Sequence, residues 1–277
     1  MTSAGWTQAR RPTRTLRVGG VTVGGGAPVS VQTMTKTDTR DVAATVAQIR
    51  EVAAAGCDIV RLAVPDEAAA RALGAIRRES PLPLIADIHF DHRLALIALD
   101  GGMDGLRLNP GNIGGAEKVR EVVRAAAGRR VPIRIGVNAG SLEKTLLARY
   151  GGATAEALVE SALGHAALLE AAGHQEIKLS VKASDVGRTV AAYRLLAQRT
   201  DYPLHLGVTE AGTLLSGAVR SSQSRTLAKL AAFAIRCPSA PSSRRRNAKF
   251  ASGNPKKAKL ARCSSSRIRA FSAMVGG

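Results

Sequence analysis

The feature that most constrains this chain is a repeat: an apolar run, a segment with helical spacing, then another apolar run, recurring through residues 29–208. Strand-like runs fall at residues 29–34, 58–64, 82–89, 105–108, 131–137, 176–181 and 203–208. The stretches between them, at 41–55, 66–78, 92–99, 116–127, 154–172 and 186–198, are mostly Ala-rich with apolar residues at i, i+3 and i+4. Strands alternating with helices imply parallel strands joined by crossovers. Asp41 and Asp185 suit N-caps, and Gly56 and Gly173 suit C-terminal stops. Ahead of the repeat, residues 15–23 alternate around Gly19-Gly20, a hairpin signal.

Most of these runs end in polar residues. Arg61 closes DIVRLAV, Asp87 and His89 close LIADIHF, and Arg107 and Asn109 lie in GLRLNPGN. Arg134 and Asn138 lie in PIRIGVNAGS, Lys178 and Lys182 in EIKLSVKASD, and His205 and Glu210 in PLHLGVTEAG. A doubly wound sheet gathers its site at one switch point, whereas a barrel binds ligands at the C-terminal ends of many strands. The pattern predicts an α/β fold, a TIM (β/α)8-type barrel with seven recognisable strands.

Arg61, Arg107 and Arg134 come from three strands, and guanidinium forks hold phosphate oxygens bidentately. Three of them suggest more than one phosphate, with Lys182 as a point charge and Asn109, Asn112 and Asn138 as neutral donors. The Gly-rich segment at 109–115 leads into a helix at Ala116, whose N-terminal N–H groups suit the same anion. Asp87 and Glu210 are the strand-end carboxylates, able to accept a substrate hydroxyl or, protonated, to act as acids. Either could equally balance the arginines. Asp87 and His89 also form half of a metal site, for which no second His/Cys pair is present in the sequence. His165 and His174 are expected at the surface. The chain contains no nucleophile elbow, Walker loop or dinucleotide fingerprint.

Charge divides the chain. Residues 1–220 carry 27 Lys+Arg and all 21 acids, whereas residues 221–277 carry 13 Lys+Arg and no acid, with 11 Ser and 11 Ala. The expected organisation is therefore a substrate-binding barrel at 1–220 and a basic Ser/Ala/Arg-rich tail at 221–277. Cys57, Cys237 and Cys263 are odd in number and widely spaced, which favours reduced thiols. No apolar run suits a membrane span or a secretory signal, so the expectation is a cytoplasmic protein.

The strings VSVQTMTKTDTRDV, DIVRLAVP, LIADIHFD, LRLNPGNIG, PIRIGVNAGSLEK, KLSVKASDV and LHLGVTEAG, in this order, resemble the 4-hydroxy-3-methylbut-2-en-1-yl diphosphate synthases of the non-mevalonate isoprenoid pathway. The resemblance covers about residues 14–220. It implies a TIM-barrel domain that holds 2-C-methyl-D-erythritol 2,4-cyclodiphosphate, followed by a smaller [4Fe-4S] domain. The cluster passes two electrons from flavodoxin or ferredoxin to open the ring and expel a hydroxyl. In the family the cluster domain of one subunit of a homodimer closes the barrel of its mate. By the same resemblance, Arg61, Arg107, Arg134, Asn138 and Lys182 match positions that hold the diphosphate. Glu210 matches the carboxylate near the reacting carbon, and Asp87 and Asn109 line the same mouth.

After Arg220 the resemblance stops. The family's Cys-Pro-x-Cys pair is represented only by Cys237-Pro238-Ser239-Ala240, Cys263 follows 26 residues after Cys237, and no Glu lies beyond Glu210. The chain is thus expected to bind no cluster, to be inactive alone, and to carry a tail read out of frame, disordered from about Pro238. Two other readings stay open. One is another phosphate-binding barrel enzyme, such as a dihydropteroate-synthase relative. The other is a barrel with a nucleic-acid-binding tail, against which Phe233, Phe250 and Phe271 are too sparse for base stacking.

Overall fold

A computed structural model of the protein describes residues 11–207. The chain opens with an antiparallel hairpin, β1 (Thr15–Val18) and β2 (Val21–Gly24), as the alternation around Gly19-Gly20 predicts. Gly19 has φ 56°, a left-handed value that favours glycine, and a Cβ there would meet Asp104 at 2.8 Å.

Six parallel strands follow in one sheet, in chain order: β3 (Gln32–Met34), β4 (Ile59–Ala63), β5 (Leu84–Asp87), β6 (Gly105–Leu108), β7 (Ile133–Asn138) and β8 (Ile177–Lys182). Helices α1 (Val42–Ala54), α2 (Glu67–Glu79) and α3 (His92–Asp100) form the first three crossovers. The short α4 (Pro110–Ile113) with α5 (Ala116–Gly128), then α6 (Lys144–Tyr150) with α7 (Ala155–Ala171), form the next two. α8 (Val186–Arg199) follows β8. The predicted caps are present: Asp41 accepts the N–H of Ala44 at 3.0 Å and Asp185 that of Arg188 at 2.6 Å. Gly56 and Gly173, at φ 85° and 84°, end α1 and α7.

Alternate residues along each strand face opposite sides of the sheet. Val60, Leu62, Leu84, Ala86, Leu106, Ile133, Ile135, Leu179 and Val181 face outward and pack with the helices in one large core. On the inner side Ile59 and Ile85 pack with Leu16 and Val18 of the hairpin, which lies across the N-terminal ends of the strands and forms the barrel floor.

The structure corrects three readings. The first strand begins at Gln32: Val29 and Val31 are exposed, and the Val31 N–H donates to the Asp58 carboxylate at 2.7 Å in place of a backbone carbonyl. The strand expected at 203–208 is, over its described residues, a single bridge from Leu204 to Leu179. The Tyr193 hydroxyl occupies the place of the next backbone pairing. His165 and His174 are buried: His165 lies 3.0 Å from Glu143, and His174 is fully enclosed. The Ala- and Leu-rich faces of α7 and its C-terminal turn carry them inward, as an apolar-periodic helix does with any residue on that stripe. Helices α4 and α6 were not foreseen. Glu210, Cys237, Cys263 and the whole 221–277 tail lie outside the described residues. Among the described residues, no helix is long and apolar enough to cross a membrane.

Candidate functional site: a cationic barrel mouth

Register brings the charged side chains together. Asp87 pairs with Arg107, Arg107 with Arg134, and Arg134 with Lys178, so four strands present one continuous row on the inner face. Arg61 stands beside it, two residues before Ala63, the cross-strand partner of Asp87. Lys182 ends β8 opposite Asn138.

Asp87 is the hub. It is buried, with Arg107 Nη1 at 3.2 Å, Arg61 Nε at 3.4 Å and the half-exposed His89 Nε2 at 3.4 Å. Burial alone would push its carboxyl up, but His89, Arg61 and Arg107 together bring it down to about 2. It is therefore ionised at neutral pH in the unliganded protein, which suits an acceptor or counter-charge. Arg107 also donates to the carbonyl of Gly136 at 3.2 Å.

The cations outnumber their partners. Arg134 is 1% exposed, and burial, then Arg61 and Arg107, pull its pKa down to about 9. Burial, with Arg134 adding, brings Lys178 to about 7. Burial brings Lys182 to about 7 as well, with Arg134, Arg61 and Arg107 adding and Asp87 opposing. Burial, with Arg134, Lys178, Lys182 and Arg61 adding, pushes His205 well down. The Nε atoms of Arg107 and Arg134, and Nη1 of Arg134, are buried without a hydrogen-bond partner within the protein, and Arg61 Nε has only its ion pair with Asp87. Orphaned guanidinium donors at a strand-end mouth mark a place for anionic oxygens.

Of the expected site residues, the structure thus brings Arg61, Asp87, Arg107, Arg134 and Lys182 into one cluster. Asn138 sits at its rim. Asn109 is buried at the start of α4, and its side chain makes no cap hydrogen bond. Glu210 lies outside the described residues. Two groups noted in their runs but given no site role also belong to the cluster, Lys178 and His205. A third is Gly136, since a Cβ there would lie 2.6 Å from Arg107 Nε. The sequence signal for it is a lone glycine inside an apolar strand, which marks a close approach.

Among the described residues no group of three His, Cys, Asp or Glu side chains is disposed to hold a metal ion. Cys57 is buried, with its Sγ 3.1 Å from the carbonyl of Ile59. The [4Fe-4S] cluster implied by the resemblance therefore fits no described donor set.

Solved structures share the fold at low identity. A Plasmodium falciparum HPPK-DHPS superposes with a TM-score of 0.58 at 7% identity, over 79% of this chain and 45% of that one. A Geobacillus kaustophilus 3-dehydroquinate dehydratase gives 0.53 at 16%, over 76% and 83%. Curated relatives are much nearer in sequence. The 4-hydroxy-3-methylbut-2-en-1-yl diphosphate synthase (flavodoxin) of Geobacter sulfurreducens is 69% identical over 210 residues, 76% of this chain and 60% of the relative. That of Maridesulfovibrio salexigens is 61% identical over 213 residues, 77% and 60%. The chain thus spans about 60% of the length of these relatives. The model of the GcpE TIM-barrel domain matches residues 13–232, and the chain belongs to that family.

Proposed function

We propose that this chain is the substrate-holding barrel of a 4-hydroxy-3-methylbut-2-en-1-yl diphosphate synthase, and that its mouth takes 2-C-methyl-D-erythritol 2,4-cyclodiphosphate. The observation that carries the reading is the excess of cations: Arg61, Arg107, Arg134, Lys178 and Lys182 surround a single described acid, Asp87, with guanidinium donors left over. A ligand with two phosphoryl groups supplies the missing negative charge and acceptors. Arg61, Arg107, Arg134 and Lys182 hold the phosphoryl oxygens. Asn109 and Asn138 donate neutral hydrogen bonds, Asp87 accepts from a ligand hydroxyl, and Glu210 is assigned, by the resemblance, as the family's carboxylate for the reacting carbon.

The activity of this family, reductive ring opening with loss of a hydroxyl, needs two electrons, for which flavodoxin or ferredoxin is the proposed donor in a cytoplasmic homodimer. With Cys237 and Cys263 unlike the family's ligand set and no Glu beyond Glu210, the chain is proposed to bind no [4Fe-4S] cluster and to be inactive alone. The tail at 221–277 is proposed to be out-of-frame sequence standing where the family's last strand and cluster domain belong. Resequencing the gene through the codons around Arg220 tests this, and an intact frame overturns it.

Calorimetry of the full chain with the cyclic diphosphate and with pyrophosphate tests the binding reading. Saturable binding of both is expected. Binding of neither by folded protein overturns it. Anaerobic reconstitution tests the expectation that no cluster binds, and near-stoichiometric labile sulfide would be the contrary result.

A further inference from the structure

A parallel ladder repeats one pattern, in which alternate residues of one strand bond to both flanking residues of the other. Between β8 and residues 203–205 the first two rungs are present. The Leu179 N–H donates to the Pro203 carbonyl at 3.0 Å, and the His205 N–H donates to the Leu179 carbonyl at 2.8 Å. The next rung would join the Val181 N–H to the His205 carbonyl. Tyr193, reaching in from α8, stands between them: its hydroxyl accepts from the Val181 N–H at 3.3 Å and donates to the His205 carbonyl. Among the described residues no bridge follows that of Leu204.

The hydroxyl satisfies both backbone groups while keeping them apart. A direct N–H to carbonyl bond spans about 2.9 Å, and an inserted oxygen roughly doubles that separation. Just beyond the insertion, the end of Lys182 lies against Gly207. A Cβ at Gly207 would stand 3.3 Å from both Cε and Nζ of Lys182, so the segment after His205 has little room to move closer. The buried Tyr193 ring also packs with the apolar core, which fixes the height of its hydroxyl.

We propose that Tyr193 is a positioning residue: its hydroxyl replaces one rung of the barrel ladder, holds residues 205–207 off β8, and so leaves Lys182 room to reach the anion. This rests on the anion-site reading above. Without the hydroxyl, the Val181 N–H and the His205 carbonyl can close directly, which draws Gly207 onto the Lys182 ammonium and turns it from the site. A merely structural hydroxyl would behave differently, since its loss would strand two buried backbone groups and lower stability while leaving the site alone.

The test uses the full chain with pyrophosphate as the probe. Calorimetry is run on wild type, Tyr193→Phe, Lys182→Met and the double variant, with thermal midpoints and Val181 amide hydrogen exchange recorded on each. Lys182→Met should weaken binding by about tenfold or more, and Tyr193→Phe by about three- to tenfold. The double variant should be no weaker than Lys182→Met, because both changes act through one contact. The Val181 amide should stay protected in Tyr193→Phe. Unchanged affinity with a lowered thermal midpoint overturns the proposal, as does an equal further loss in the Lys182→Met background. A freely exchanging Val181 amide overturns it too. If wild type binds no pyrophosphate, the anion reading fails by itself, and Val181 protection in unliganded Tyr193→Phe still decides for or against the spacer.

Discussion

The barrel interior has two layers, and one step of the strand pleat separates them. Ile59 and Arg61 stand on one strand, Ile85 and Asp87 on the next, Gly105 and Arg107 on the third, each pair two residues apart, or about 7 Å along the strand. The lower layer joins Leu16 and Val18 of the hairpin in a dry cluster. The upper layer gathers five cations around one described acid. Burying an Ile side chain stabilises by about 1.5–3 kcal/mol, whereas a buried cation without a partner costs several. The lower layer therefore holds together strands whose upper ends repel one another, and ligand charge completes what the fold leaves unbalanced.

Breaking the lower layer should have the largest effect. Ile85→Ala is expected to cost about 2–5 kcal/mol in urea unfolding, because Ile85 is fully buried against the hairpin and its removal leaves a cavity. Pyrophosphate affinity of the folded fraction should stay within about twofold, since the substitution leaves every charged contact in place. A large affinity loss would mean the two layers are not separable.

The upper layer should respond in the opposite sense. Arg134→Met removes a buried cation with unpartnered donors, so pyrophosphate binding should weaken by about ten- to a hundredfold while the thermal midpoint rises. A lowered midpoint would show that Arg134 is a structural partner, not a ligand group.

Smaller, and sharper, is the pH response. Lys178 and Lys182 fall from 10.5 to about 7 in the folded protein, so between those values the unfolded chain binds more protons. Without ligand, stability should therefore rise as pH climbs from about 7 toward 10.5, with the lysine penalty fully present below 7. Pyrophosphate affinity should fall over the same climb by several-fold, on the order of one lost charge contact. Calorimetry and thermal melts in a common buffer series check both slopes, and parallel slopes would break the comparison.

The layering explains what could be read from the sequence. Arg61, Asp87, Arg107, Arg134, Asn138 and Lys182 stood out because a polar residue near the end of an apolar run has few structural uses. Lys178 was visible in its run but received no role, since Lys182, four residues on, already supplied that strand with a cation at its end. Strands in a barrel are staggered, so the second residue of β8 stands level with the last of β5. That offset comes from pairing, which no single strand records. Gly136 needed its neighbour's Arg107 to have a meaning, and Tyr193 looked like one more apolar residue on a helix stripe. His174 shows the reverse error, since a titratable side chain suggests a surface position until the apolar turn around it is seen to pack. Glu210, read as a strand-end carboxylate and matched by the resemblance, lies outside the described residues.

The barrel floor is fastened by residues far apart in sequence. The Arg14 N–H donates to the Asp201 carbonyl at 2.9 Å, its Nε to the Asp201 carboxylate at 2.8 Å, and its guanidinium lies 4.2 Å over the Tyr202 ring. Arg11 reaches the carbonyls of Thr200 and Tyr202. Such a clasp closes a loop of nearly the whole described chain, so it cannot form on the ribosome until the last of these residues has emerged. Local strand and helix pairings have no such wait, and the cost of long-range closure places the clasp among the late events of folding. Contacts made after the rate-limiting step govern how long the native state lasts more than how fast it is reached. The hairpin that seals the floor is thus a fastener of lifetime: weakening Arg14 shortens the residence of the folded barrel without delaying its arrival.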